Sequence, residues 1–185
     1  MLTGKTLFVS ARPIKFKTRE TWNVPSHSHQ LTFSTFHRKP YLRNDEICEF
    51  LARRINRAAE NHNFAVLAYV FMPDHVHLLI HPLNEIYDMS KILKSIKQGP
   101  SRSAKNRGLI ETDLWEEGPG HDSNISWERA RQDSIAYIHN NPVRKGIVEL
   151  GSQFRWSSAN WYHHQGESDV RCRYFAYLWE DGVIE

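Results

Sequence analysis

The sequence predicts an α+β domain, an antiparallel sheet with helices packed on one face. Three observations carry this. Phe64–Phe71 is almost wholly apolar and rich in β-formers, as a buried central strand requires. Met72-Pro73-Asp74 breaks it, and His75–Ile80 resumes at once, too soon for a parallel crossover, so the two strands form a hairpin. Around them strand and helix patterns follow in the order β–α–β–β–α–(β)–α.

Leu31, Phe33 and Thr35 alternate with polar neighbours, giving a first strand over 29–36. After a turn at Tyr41–Asp45, the residues Ile47, Phe50, Leu51 and Ile55 make one apolar face of a helix over about 45–61. A second helix, over about 86–98, carries Ile86, Met89, Ile92, Leu93 and Ile96 at helical spacing. Gly99-Pro100 interrupts it, and Pro100 opens a further turn through Asn106. Leu114-Trp115 reads as a short strand before a loop over 117–124. The third helix, about Ser126–Asn140 with Ser126 as N-cap, ends near Asn141 because Pro142 lacks an N–H and disfavours helical geometry before it. Residues 1–26 are basic and irregular (Arg12, Lys15, Lys17, Arg19), and from 151 onward the chain is aromatic and basic (Trp156, Trp161, Tyr162, Arg171, Arg173, Tyr174, Tyr177, Trp179).

The 185 residues, 40% hydrophobic and 24% charged, suit one globular domain that needs no disulfide or metal to fold. Cys48 and Cys172 are far apart, and Cys48 falls in a helical pattern as a small core residue, so the expected compartment is the reducing cytoplasm. No apolar run is long enough to span a membrane, and no P-loop or GxGxxG is present. A net charge of +3 permits a nucleic-acid partner without demanding one.

His75 and His77 are two apart on a strand and project to one face, with Val76 and Leu78 on the other. Their Cα atoms lie roughly 6.6 Å apart, close enough for two imidazoles to share one ion. His81 shares that face but stands roughly 20 Å along the strand, so a third ligand must come from elsewhere. Most HxH pairs are merely surface histidines. This one is set apart by its apolar strand and tight turn, whereas His27-Ser28-His29 reads as strand-entry loop. In the third helix Tyr137 stands at the edge of the stripe Ala130, Ser134, Ile135, Ile138, and Asn141 shares its face one turn later. On structure alone they read as a half-buried core tyrosine and a C-cap.

Taken together, Tyr69-Val-Phe-Met-Pro-Asp-His-Val-His-Leu-Leu-Ile80 and Tyr137-Ile-His-Asn-Asn-Pro-Val-Arg-Lys-Gly-Ile-Val148 resemble the two signature segments of REP-associated tyrosine transposases. These are single-tyrosine enzymes of the HUH endonuclease superfamily, related to transposases of small insertion sequences. The likeness extends to His29-Gln-Leu-Thr-Phe33, the stretch around Lys97, Leu114-Trp115 and Trp156-Ser-Ser-Ala159, covering roughly 28–162. It implies a ferredoxin-like domain over 28–150, which leaves a basic segment 1–27 and a C-terminal extension 151–185 whose aromatic residues suit either stacking on unpaired bases of DNA or packing a C-terminal subdomain. It also implies His75 and His77 as ligands of a divalent metal, Mg or Mn, Tyr137 as the nucleophile, and Asn141 where related enzymes place a third ligand, often glutamine. The activity implied is cleavage and rejoining of single-stranded DNA at REP-like hairpins through a 5′-phosphotyrosine, by a monomer or a homodimer.

Lys91, Lys94 and Lys97 lie off the apolar stripe of the second helix, and Arg102, Lys105 and Arg107 follow. Singly these are solvated charges; as a group Lys94, Lys97, Arg102 and Lys105 suit a phosphate-tracking surface, and Arg144 and Lys145 lie nearest the tyrosine. The competing readings are a replication initiator or relaxase of the same superfamily, and a non-catalytic nucleic-acid-binding module on the same kind of sheet.

Overall fold

The computed structural model describes residues 23–164 and 168–173; the basic positions 12, 15, 17 and 19 and the aromatic positions 174, 177 and 179 lie outside the described residues. Four antiparallel strands form one sheet in the order β2-β3-β1-β4: β1 Ser28–Ser34, β2 Phe64–Met72, β3 His75–Pro82 and β4 His121–Ile125. The hairpin pairs Met72 with His75 and Val70 with His77, and it puts β3 inside the sheet but β2 at its edge. The strand expected at the centre is buried because a later segment covers it, not because strands flank it on both sides.

Helix α1, Asp45–His62, starts where the Asn44 side chain accepts hydrogen bonds from the Glu46 and Ile47 amides. Its residues Ile47, Leu51 and Ile55 meet Leu31, Phe33, Val76, Leu78 and Ile80 in the main core, joined by Met89, Ile92 and Ile96 of α2, Met89–Asn106. Cys48 is buried there, and burial pushes its thiol up to about 12, so it is the inert core residue expected.

The expectation of helices on one face accounts for α1 and α2 but not for α3, Glu128–Arg144. Ile138 of α3 packs on Ala65, Ala68, Val70 and Leu79, on the opposite face. The reason is in the hairpin, where every residue of β2 is buried: with helices on one side only, Ala68, Val70 and Met72 of β2 and Leu79 of β3 would face water.

Three local expectations are corrected by tertiary contacts. α2 is one helix through Gly99 and Pro100, while Ile86 lies outside it and is 92% exposed. Gly99 is where Arg54 crosses α2; an added Cβ would lie 2.9 Å from Arg54 Cδ, and Arg54 Nε donates to Ser95 O. α3 begins at Glu128, with Trp127 rather than Ser126 as N-cap, and runs through Pro142, so Asn141 is inside the helix rather than at its end. The proline forfeits one helical bond, but it is buried on the packed side and the Lys145 amide closes back on Asn141 O. Leu114-Trp115 gives only a single bridge, Thr35 to Trp115; the fourth strand is His121–Ile125, which takes up the end of the expected loop and one residue beyond it.

The outer edge of β2 is covered by the chain beyond α3. Ser157 bridges Val70, Cys172 bridges Val66, and the Phe71 amide donates to Trp156 O. Trp156 stacks on Phe71 and donates from Nε1 to Asp45 Oδ1 at 2.7 Å. Trp156→Ala should therefore cost about 3–5 kcal/mol of stability, read from urea midpoints; a loss under about 1 kcal/mol would mean this segment is only appended. Among the described residues no helix is long and apolar enough to cross a membrane.

Candidate active site

Alternation along β3 puts His75 and His77 on the α3 side of the sheet, with ring centroids 4.8 Å apart. Each ring is braced at Nδ1. His75 Nδ1–H donates to Asp74 Oδ1 at 2.6 Å, and Thr32 Oγ1 shares a 2.8 Å hydrogen bond with His77 Nδ1 from the neighbouring strand. Arg38 reaches the other Asp74 oxygen at 3.4 Å. Burial alone would raise the Asp74 carboxyl, but its bond to His75 and the charges of His75 and Arg38 hold it below the usual range. A metal-binding imidazole is commonly braced this way at one nitrogen, which leaves Nε2 for the ion. His77 is 5% exposed, and burial, with smaller contributions from His75 and Arg38, pushes its pKa down to about 4, leaving the neutral ring that ligation needs.

Tyr137 stands edge-on to His77, centroids 5.3 Å apart, and is 39% exposed. Arg144, two turns on, lays its guanidinium 5.4 Å from the centre of the tyrosine ring. α3 runs antiparallel to β3: the Arg131 charge acts on His81 at one end, and Tyr137 meets His77 further on. Asn141 continues in that direction on the buried stripe Arg131, Ser134, Ile138, Asn141, and is 5% exposed. Among the described residues no third His, Cys, Asp or Glu joins the histidine pair in a metal-holding group.

Thus the fold brings together His75, His77, Tyr137 and Arg144, and puts Asn141 on the same helix, while Lys145 is exposed beside Arg144. The α2 cations are elsewhere, in the helical layer across the sheet. Lys94 is exposed; Lys97, Arg102 and Lys105 line a cleft of about 420 Å³ with Trp115 and Asp113, and Lys105 pairs with Asp113 at 2.6 Å. Lys97 is turned inward and donates to Gly118 O at 2.6 Å and Glu116 O at 3.3 Å; burial lowers its pKa. Sequence reasoning missed Thr32, Asp74 and Arg38. The first two had a readable signal, Thr32 in its alternation on β1 and Asp74 in its place before His75.

The other histidines have separate work. His81 shares a 3.0 Å hydrogen bond with Ser28. His29, expected in a loop, is fully buried in β1 between Asp122 and Tyr87. His139 pins α3 to the sheet: its Nε2 meets Ser158 Oγ at 2.8 Å, and that hydroxyl accepts from the Tyr69 amide. Burial, with His163 second, pushes His139 down to about 4. Between about 6.5 and about 4 the unfolded chain binds protons that folded His77 and His139 refuse, so stability falls as pH drops through that window and levels off below it. Each shift corresponds to on the order of 3 kcal/mol. His139→Gln should remove about half of the fall in urea midpoint between pH 7 and pH 4; an unchanged slope would refute a neutral buried imidazole.

Residues 23–141 match the family described as Transposase IS200 like, a span that contains His75, His77, Tyr137 and Asn141. The chain belongs to the IS200-like transposase family. This IS200-like transposase is 25% identical over 146 residues, 71% of its own length and 77% of the relative's, to a Haemophilus influenzae protein assigned as a REP-associated tyrosine transposase. A solved structure of a REP-associated tyrosine transposase bound to a REP hairpin superposes with TM-score 0.69 at 18% identity, over 78% of this chain and 84% of that one. That likeness shows the shared α+β fold. A Deinococcus radiodurans structure assigned as a transposase aligns at TM-score 0.46 and 21% identity, over 68% of this chain and 97% of that one.

Proposed function

We propose that this IS200-like transposase cleaves and rejoins single-stranded DNA beside REP-like hairpins, with Tyr137 as the attacking group. The observation that carries the reading is the contact of Tyr137 with His77 within a braced histidine pair. The donor set fits a divalent metal: His75 and His77 through Nε2, with the Asn141 amide oxygen, would hold Mg²⁺ or Mn²⁺. When bound, such an ion neutralises charge on the scissile phosphate oxygens.

The chain's own groups do the rest. The Tyr137 phenol oxygen bonds to phosphorus and loses its proton to solvent; the bond from phosphorus to the 3′-oxygen breaks, and that oxygen takes up a proton. The products are a 5′-phosphotyrosine and a free 3′-hydroxyl. Rejoining reverses the step, so no nucleotide is consumed. Arg144, over the tyrosine ring, sets a positive charge beside the phosphate as charge builds on it. Asp74 and Thr32 keep the imidazoles from rotating. The hairpin substrate is proposed from the kinship with REP-associated relatives.

The test incubates the full chain with hairpin-flanked single-stranded DNA and Mn²⁺, then maps any covalent adduct by peptide mass. An adduct on Tyr137 supports the reading. Attachment to another residue, or none with any strand or metal, overturns it and favours a binding module without catalysis.

A further inference from the structure

On the face that carries the histidines, the main contacts of α3 are with β2 and β3. Beyond the buried Ser28 and the apolar Ile125 opposite it, the β1 and β4 half of that face presents Gln30, Thr32, Ser34, His121 and Ser123, all polar and none fully buried. The pairing register draws one row straight across it: Val70 opposite His77, His77 opposite Thr32, Thr32 opposite His121. Two strand spacings separate His121 from His77, roughly 9.6 Å between Cα atoms. Thr32 stands between the two positions, and the exposed His121 ring, whose Nε2 shares a 2.8 Å hydrogen bond with Ser123 Oγ, borders the outer side of a row wide enough for a phosphodiester.

β4 is an improbable strand by composition, His-Asp-Ser-Asn-Ile, yet its position is fixed from three sides. Gly120, at φ +84, brings the chain so close to β1 that an added Cβ would stand 2.3 Å from Thr32 O. The half-buried Lys97 donates to the carbonyls of Glu116 and Gly118, just before that glycine. On the core side Asp122 bonds the buried His29 at 2.9 Å, and its second oxygen is the buried side-chain atom left without a partner among the described residues. Burying an unpartnered carboxylate oxygen is costly, and an edge strand does not need it for its own stability. What Gly120, Lys97 and Asp122 jointly fix is the place of His121, opposite Thr32.

We propose that His121 is a substrate-contacting residue of this transposase, hydrogen-bonding a phosphate of the bound strand next to the scissile one. The proposal rests on the reading that Tyr137 cuts a single strand, and it assigns the β1/β4 half of the face as the path of that strand. Lys97 and Gly120 are positioning residues for it.

The experiment measures binding of the full chain, by fluorescence anisotropy, to hairpin-flanked oligonucleotides in which single phosphates are replaced by neutral methylphosphonates. Wild type should lose about tenfold in affinity at one phosphate within two nucleotides of the cut, the range for a hydrogen bond to a charged group. His121→Ala should lose about tenfold on the natural strand and nothing further at that methylphosphonate. His121→Gln, which keeps a donor, should recover part of the loss, and it replaces the alanine variant in the comparison if the latter melts early. The proposal is overturned if His121→Ala binds like wild type, or if it is weakened but still feels every methylphosphonate as wild type does, which is a purely structural effect. Failure of the cleavage reading looks different: wild type forms no Tyr137 adduct on the natural strand, whatever the methylphosphonate scan shows.

Discussion

Tyr137→Phe is expected to eliminate the covalent adduct while leaving the fold and strand binding in place. The substitution removes one oxygen and nothing else. The ring that remains still stands edge-on to His77 and under the Arg144 guanidinium, so both ring contacts survive. At 39% exposure Tyr137 is no pillar of the core, and the change in stability should stay within about 0.5 kcal/mol. Loss of an attacking group that works as part of a unit costs on the order of 10⁴-fold or more in rate. Gel detection of the adduct and anisotropy on the same strand separate the two quantities. Residual adduct within tenfold of wild type would mean that another side chain attacks, and the ring contact with His77 would then be packing only.

How much of this was legible in the sequence depended on whether the cause was local. The β2–β3 hairpin and α1 were readable because burial and capping are written at fixed spacing: Phe64–Met72 is apolar throughout, and Asn44 stands at the start of its helix. The histidine pair was readable for the same reason, since alternation alone puts His75 and His77 together. What depended on distant partners was not. β4 has no apolar alternation and is a strand because β1 pairs with it across Gly120. His29 belongs to an HxH much like His75-Val76-His77, and it is Asp122, 93 residues on, and Tyr87, 58 residues on, that make it a core residue. Pro100 and Pro142 each suggested a helix end, yet both are buried in helices that the sheet holds in place. Lys97 lies on the polar side of its helix by pattern, and nothing nearby in sequence reveals that the Glu116 and Gly118 carbonyls draw it inward. Even the placement of α3 had a readable cause, because a strand buried on both faces needs cover on both.

His77→Ala should abolish the adduct and, independently of activity, the stabilisation that Mn²⁺ confers. A ligand bound only to the folded chain stabilises it by about 2.7 kcal/mol at a hundredfold excess over Kd. For a chain of this length that is a Tm shift of about 5–10 °C. With one of two imidazoles gone, the shift should fall below about 1 °C. Thr32→Val should give an intermediate result: it removes the hydroxyl that braces His77 at 2.8 Å while keeping the branched shape, and a lost brace costs about 10–100-fold in metal affinity. The alanine variant should also tolerate acid better than wild type relative to its own stability at pH 7, because the ring whose pKa is pushed to about 4 no longer penalises the folded state as protons bind the unfolded one. These readouts discriminate between causes. A merely packed His77 would give the acid effect with the Mn²⁺ shift intact, and an ion held elsewhere would leave the shift unchanged in both variants. Loss of the shift in His77→Ala with a partial loss in Thr32→Val is the pattern that only a braced ligand produces.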